Sequence, residues 1–173
     1  MDNEIDELYR LNRPERLERV LHMLLGAVSR QESATCRQLL GEWWSDFEGG
    51  LNRSARSIIV GAFREAGFMS DEEGFLAPEE PLTLYRGSTS SRRSGLSWTS
   101  DVGKAQWFAN RQNLLTQRPG FVYQAKVSPS FILGYFNRRA EHEWVVDPAG
   151  LNDIRRVPEE AARSAPGRSA DGT

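Results

Sequence analysis

The chain has 173 residues, of which 39% are hydrophobic, enough for one domain with a buried core. One cysteine, Cys36, and two histidines, His22 and His142, exclude an intrachain disulfide and argue against a Cys/His zinc site. The longest apolar stretch, VLHMLLGAV at 20–28, is too short to span a bilayer, and the acidic start MDNEIDELYR is unlike a secretory leader. These features set the expectation of a soluble, cytoplasmic protein with no metal and no membrane association.

Charge is unevenly distributed. Residues 1–80 hold 16 acids and 9 bases, net −7, whereas residues 81–157 hold 5 acids and 11 bases, net +6. The basic segment is therefore the expected home of an anionic ligand.

The first 70 residues read as helical. Leu17, Val20, Leu21, Leu24, Leu25 and Val28 follow helical spacing over 14–30, with Asn12 as the cap and Pro14 in the first turn. A second helix is expected from Ser33 or Thr35 to Phe47, with Leu39, Leu40, Trp43, Trp44 and Phe47 as its stripe and Glu48-Gly49-Gly50 as its stop. Trp43 and Trp44 are adjacent, so one of them is open to exposure as a partner contact. A third helix covers about 53–66, with Ile58, Ile59, Phe63 and Ala66 inward and Gly67 beyond its end. His22 is expected at the surface.

After Gly67 the texture changes to short β-rich runs: LTLYR at 82–86, GLSWT at 95–99, GFVYQAKV at 120–127, HEWVV at 142–146 and DIRRV at 153–157. One helix, about 101–112, interrupts them, capped by Ser100 or Asp101; its Trp107 and Phe108 read as core. Helices followed by strands imply an α+β fold, a helical region packed on a mixed or antiparallel sheet. Residues 1–157 are expected to form one domain, with a helical front at 1–70 and a strand-rich core at 80–157. The tail, 158–173, is expected to be disordered.

Three short elements could carry chemistry. Arg86-Gly87 ends the LTLYRG strand, and the guanidinium either pairs with a surface acid or grips a phosphate or carboxylate. In GLSWTSD, Ser97 and Thr99 share one strand face and Leu96 and Trp98 the other. In AEHEWVVDP, Glu141 and Glu143 stand at i and i+2, on one face of an extended strand and about 7 Å apart. Two like charges so placed need positive charge nearby, which Arg138 and Arg139 could supply at a solvated sheet end, or a cationic transition state could.

In this order, on these strands, YRG, S-x-T and E-x-E resemble the arginine–serine–glutamate class of mono-ADP-ribosyltransferases, which includes bacterial toxins and phage-encoded enzymes. The resemblance spans about residues 82–147 and departs from the family's serine–threonine–serine at Trp98 and Thr99. It implies a sheet core of the ADP-ribosyltransferase type and NAD as substrate. Arg86, Gly87, Ser97, Trp98 and Thr99 would contact NAD, Arg86 through a phosphate or ribose. Glu143 would stabilise the oxocarbenium-like ribosyl group, and Glu141 would activate an incoming arginine. Ser97 would orient Glu143, and Thr99 would support the wall of the site. Tyr135 and Phe136 fall where the family carries a target-recognition loop. The implied partner is a host or cellular protein, as for a phage or bacterial effector.

Other readings stay open on the sequence. The same site with water as acceptor is an NAD glycohydrolase, and an inactive relative would be a protein-binding module. A nucleic-acid binder is disfavoured because the basic half lacks a recognisable motif. The family branch that uses histidine and tyrosine is disfavoured too, because His22 lies on a helix. His142 stands between the glutamates and should point to the opposite face.

Overall fold

The computed structural model describes residue 8 and residues 10–47, 50–138 and 140–158. Glu48 and Gly49, Arg139 and the tail from 159 onward, all invoked above, lie outside the described residues. The chain divides into two compact units, Met1–Asp71 and Glu72–Thr173. The protein is α+β.

Among the described residues the first unit holds three full helices, each in contact with the other two. Helix α1 (Arg13–Ser29) starts where Asn12 accepts a 3.1 Å hydrogen bond from the Glu15 amide, with proline in its first turn. Val20, Leu24 and Ala27 are buried, but Leu25 is exposed, so the apolar stripe is narrower than expected. Helix α2 (Ser33–Trp43) ends before Phe47, and Trp44–Asp46 turn as a 3-10 helix. That change of winding alters the angle between consecutive side chains. It allows Trp43 and Trp44 both to be buried, edge to face at 6.2 Å, and neither is left for a partner. Helix α3 (Arg53–Ala66) is capped by Asn52 and ends at Gly67, whose φ of 74° suits glycine. A two-residue strand, β1 (Met69–Ser70), follows. His22 is exposed, as expected.

Among the described residues of the second unit, six strands form one sheet in the order β5-β6-β3-β2-β4-β7, every neighbour antiparallel. They are β2 (Leu82–Thr89), β3 (Ser97–Thr99), β4 (Gly120–Val127), β5 (Ile132–Phe136), β6 (Glu143–Val146) and β7 (Arg155–Arg156). Strand β5 was not expected. Its ILGYF run is fully buried and lacks the polar alternation that marks a half-buried strand.

Helix α4 (Val102–Thr116) is capped by Asp101, whose Oδ1 accepts from the amides of Gly103 and Lys104. It lies against β2 and β4 through small residues. Ala105 and Ala109 are fully buried with Val122, and they rest on two strand glycines. A Cβ on Gly87 would sit 2.5 Å from the Ala109 nitrogen, and one on Gly120 would sit 2.9 Å from the Ala109 carbonyl carbon. Because the helix approaches through alanines, Trp107 is on its outer side and is 52% exposed, contrary to the expected core position. No helix among the described residues is long and apolar enough to cross a membrane.

Candidate functional site

The register decides which side chains can meet. Tyr85 pairs with Thr99, Thr99 with Glu143, and Glu143 with Phe136. Paired residues of an antiparallel sheet project on the same face, with Cβ atoms about 4.5–5.5 Å apart. Tyr85, Thr99, Glu143 and Phe136 therefore form one row. Ser97 pairs with Val145, two positions along from Thr99 and on the same face. Ser97, Thr99 and Glu143 thus come together, but Thr99 and not Ser97 is the direct neighbour of Glu143. Glu143 and Ser97 are half-buried and Thr99 is buried.

Arg86 does not share that face. It follows Tyr85 in a regular strand and so projects on the opposite side. Its Nε donates to the Arg92 carbonyl at 3.1 Å, and its Nη1 donates to the Ser97 carbonyl. The guanidinium lies over Gly95, where a Cβ would come within 3.0 Å of Nε. Arg86 therefore fastens the 90–97 connection to β2 and sets where β3 begins. Gly87 and Trp98 also depart from the expected NAD contacts. The space over Gly87 is filled by the α4 backbone, and Trp98 is buried on the face opposite Ser97, its Nε1 donating to Gly95 O at 2.9 Å.

The two glutamates are not side by side on a strand. Strand β6 begins at Glu143, and the residues before it are kinked: Ala140 and His142 have φ of 52° and 47°. Alternation by two requires an extended residue between the carboxylates, and a left-handed His142 breaks it. Glu141 therefore sits on a turn leading into the strand. Its carbonyl accepts a 2.9 Å hydrogen bond from Thr99 Oγ1, which in turn accepts from the Asp101 amide at 3.1 Å. Thr99 ties three things together: the row beside Glu143, the main chain of Glu141 and the start of α4.

The turn before β6 is braced from β5. His142 Nδ1 lies 3.0 Å from Tyr135 Oη, and Tyr135 pairs with Trp144, on the face away from Glu143. His142 thus points away from the Glu143 row, as expected. Asn137 accepts from the His142 amide at 3.2 Å, its carbonyl accepts from the Ala140 amide at 2.7 Å, and its Nδ2 donates to Glu72 at 2.9 Å. Tyr135 and Phe136 are buried strand residues and not a recognition loop; Tyr135 stacks on Phe75 at 4.2 Å and packs on Trp144. Sequence reasoning passed over Asn137 and Tyr85. An asparagine after an apolar run is a turn signal that could have located the first, whereas Tyr85 joins the site only through the register.

The arrangement presents a carboxylate, Glu143, among hydroxyl groups on a sheet face, with a second carboxylate residue, Glu141, held beside it by its main chain. A fixed anion of this kind can stabilise a developing cation. A separate pocket of about 210 Å3 is lined by Gln106, Asn110 and Asn113 of α4 with Phe121 and Arg156, away from these residues. No family model, no curated protein and no solved structure matches the chain.

Proposed function

We propose that the protein is a mono-ADP-ribosyltransferase that cleaves NAD and transfers ADP-ribose to an arginine of a protein target. The observation that carries the reading is the register that sets Thr99 opposite Glu143 on the face that also bears Ser97, with Thr99 holding the Glu141 main chain. In the proposed reaction the bond between nicotinamide and ribose breaks, and nicotinamide leaves as a neutral molecule with the bonding pair. Glu143 stabilises the ribosyl cation. Glu141 takes the proton from the incoming guanidinium as its nitrogen bonds to the ribose C1′. Arg86 acts by positioning: it anchors the segment that leads into Ser97. The same site with water as acceptor is an NAD glycohydrolase, and the acceptor distinguishes the two.

The test is incubation of the purified chain with NAD labelled in its adenylate half and with arginine-rich acceptor protein, alongside Glu143→Gln. Label on protein from wild type and loss of at least ~100-fold in the variant, the scale of one preorganised electrostatic contact, supports the reading. Release of nicotinamide without labelled protein moves it to the glycohydrolase. Equal NAD cleavage by folded Glu143→Gln protein removes Glu143 from the chemistry.

A further inference from the structure

Helix α4 is built inside out for a solvated surface helix. It buries two alanines, keeps Phe108 half-buried and sends three large apolar side chains outward: Trp107 is 52% exposed, Leu114 84% and Leu115 66%. Trp107 and Leu114 are seven residues apart and stand on one line along the helix. A second line, Lys104 and Arg111 at the same spacing, flanks them, with the Arg111 guanidinium 5.3 Å from the Trp107 ring. On the other flank Gln106 and Asn113 lead into the pocket that Arg156 borders. Asp101 caps the helix one turn from Lys104, and no further aspartate or glutamate occurs in the sequence before Glu141, so Arg111 has no acidic residue within its own helix.

We propose that the outer face of α4 is a docking surface for a protein segment that is apolar along one line and acidic along its flanks. Large apolar side chains exposed along one helix line mark a contact site, and the Arg111 guanidinium beside the indole selects an acidic partner. The amides at 106 and 113 suit the partner's polar main chain or side chains. A nucleic acid fits less well: Trp107 has Arg111 over its ring at 5.3 Å, the more exposed apolar residues are leucines, which offer no face for base stacking, and the Phe121 ring is covered by Arg156 at 3.6 Å. A lipid surface fits less well because polar amides border the apolar line.

Trp107 is the one exposed indole among the five tryptophans, since Trp43, Trp44, Trp98 and Trp144 are buried. Its emission therefore reports on this face. The full chain is titrated with a synthetic amphipathic peptide bearing leucine and phenylalanine on one face and glutamates on the flanks. The comparison probes are its lysine counterpart, a 20-nucleotide oligo-dT and phosphatidylserine vesicles. The expected result is a blue shift in wild type and salt-sensitive binding of the acidic peptide alone; the anisotropy of a fluorescein-labelled peptide, which does not depend on the indole, should show that binding weakened about tenfold in Trp107→Ala and in Arg111→Glu. The Arg111→Glu chain should gain affinity for the lysine peptide. Both side chains, the one removed and the one reversed, are exposed, so circular dichroism should match wild type. The proposal is overturned by tighter binding of oligo-dT or vesicles, by acidic-peptide binding that both variants leave unchanged, or by no binding at all.

Discussion

Gly87→Ala separates a packing glycine from an NAD-contacting one. A Cβ at residue 87 would meet the Ala105 carbonyl oxygen, lie 2.5 Å from the Ala109 nitrogen and lie 2.9 Å from Phe108 Cβ. The first two are main-chain atoms of α4, so no rotamer change relieves them. Restoring ordinary contact requires the helix to withdraw by at least about 1 Å, which loosens Ala105 and Ala109 from Val122. Overpacking of this kind costs about 1–3 kcal/mol and sometimes more; with backbone on both sides of the clash the upper end, ~3 kcal/mol, is expected. For a unit of about 100 residues that corresponds to a fall in Tm of roughly 12–24 °C. Urea unfolding and calorimetry measure it. Because the clash is with main chain, adding Ala105→Gly should not restore stability. A Gly87→Ala protein within about 0.5 kcal/mol of wild type would refute the packing, and full rescue by Ala105→Gly would show that the clash lies with a side chain.

The remaining predictions concern the site and the first unit. Arg86→Lys keeps a charge but cannot reach both the Arg92 and Ser97 carbonyls; it should cost about 1.5–3 kcal/mol, the range for charged hydrogen bonds, and Gly95→Ala, which displaces the same guanidinium, should act in the same direction in urea unfolding. If Arg86→Lys instead leaves stability intact and weakens NAD binding in calorimetry, Arg86 is a ligand residue. Under the proposed function Glu141→Gln should abolish labelled protein while sparing most nicotinamide release, and equal loss of both would place Glu141 in NAD cleavage itself. The Cys36 thiol is pushed up from its ordinary range by burial, with Glu65 and Glu32 adding to the effect. It should therefore resist alkylation at pH 8 until the chain is unfolded. Since the native state favours the neutral thiol, its contribution to stability is present below the unfolded thiol's range, about pH 8.5, and declines as pH rises through the folded value. Rapid modification of native protein would show that the thiol is accessible.

Local chemistry was legible in the sequence wherever it acts within a few residues. Asn12 and Asp101 could be read as helix caps because a cap bonds to an amide two or three positions along. The 120–127 strand was legible from its own β-rich run. Three things were decided only by the tertiary structure. Strand β5 is hidden in the sequence because it is buried on every side and has no period to reveal it. Glu141 looked like the strand partner of Glu143, but Asn137, Tyr135 and Thr99 hold His142 left-handed, and no property of E-x-E announces a turn imposed from other strands. The face of a strand residue follows from alternation, but the row it joins follows from register, which is a long-range pairing. The sequence could place Ser97 and Thr99 together, yet only the sheet could set Thr99 against Glu143, turn Arg86 to the other side and leave Trp107 outside, because those outcomes depend on which backbone lies alongside.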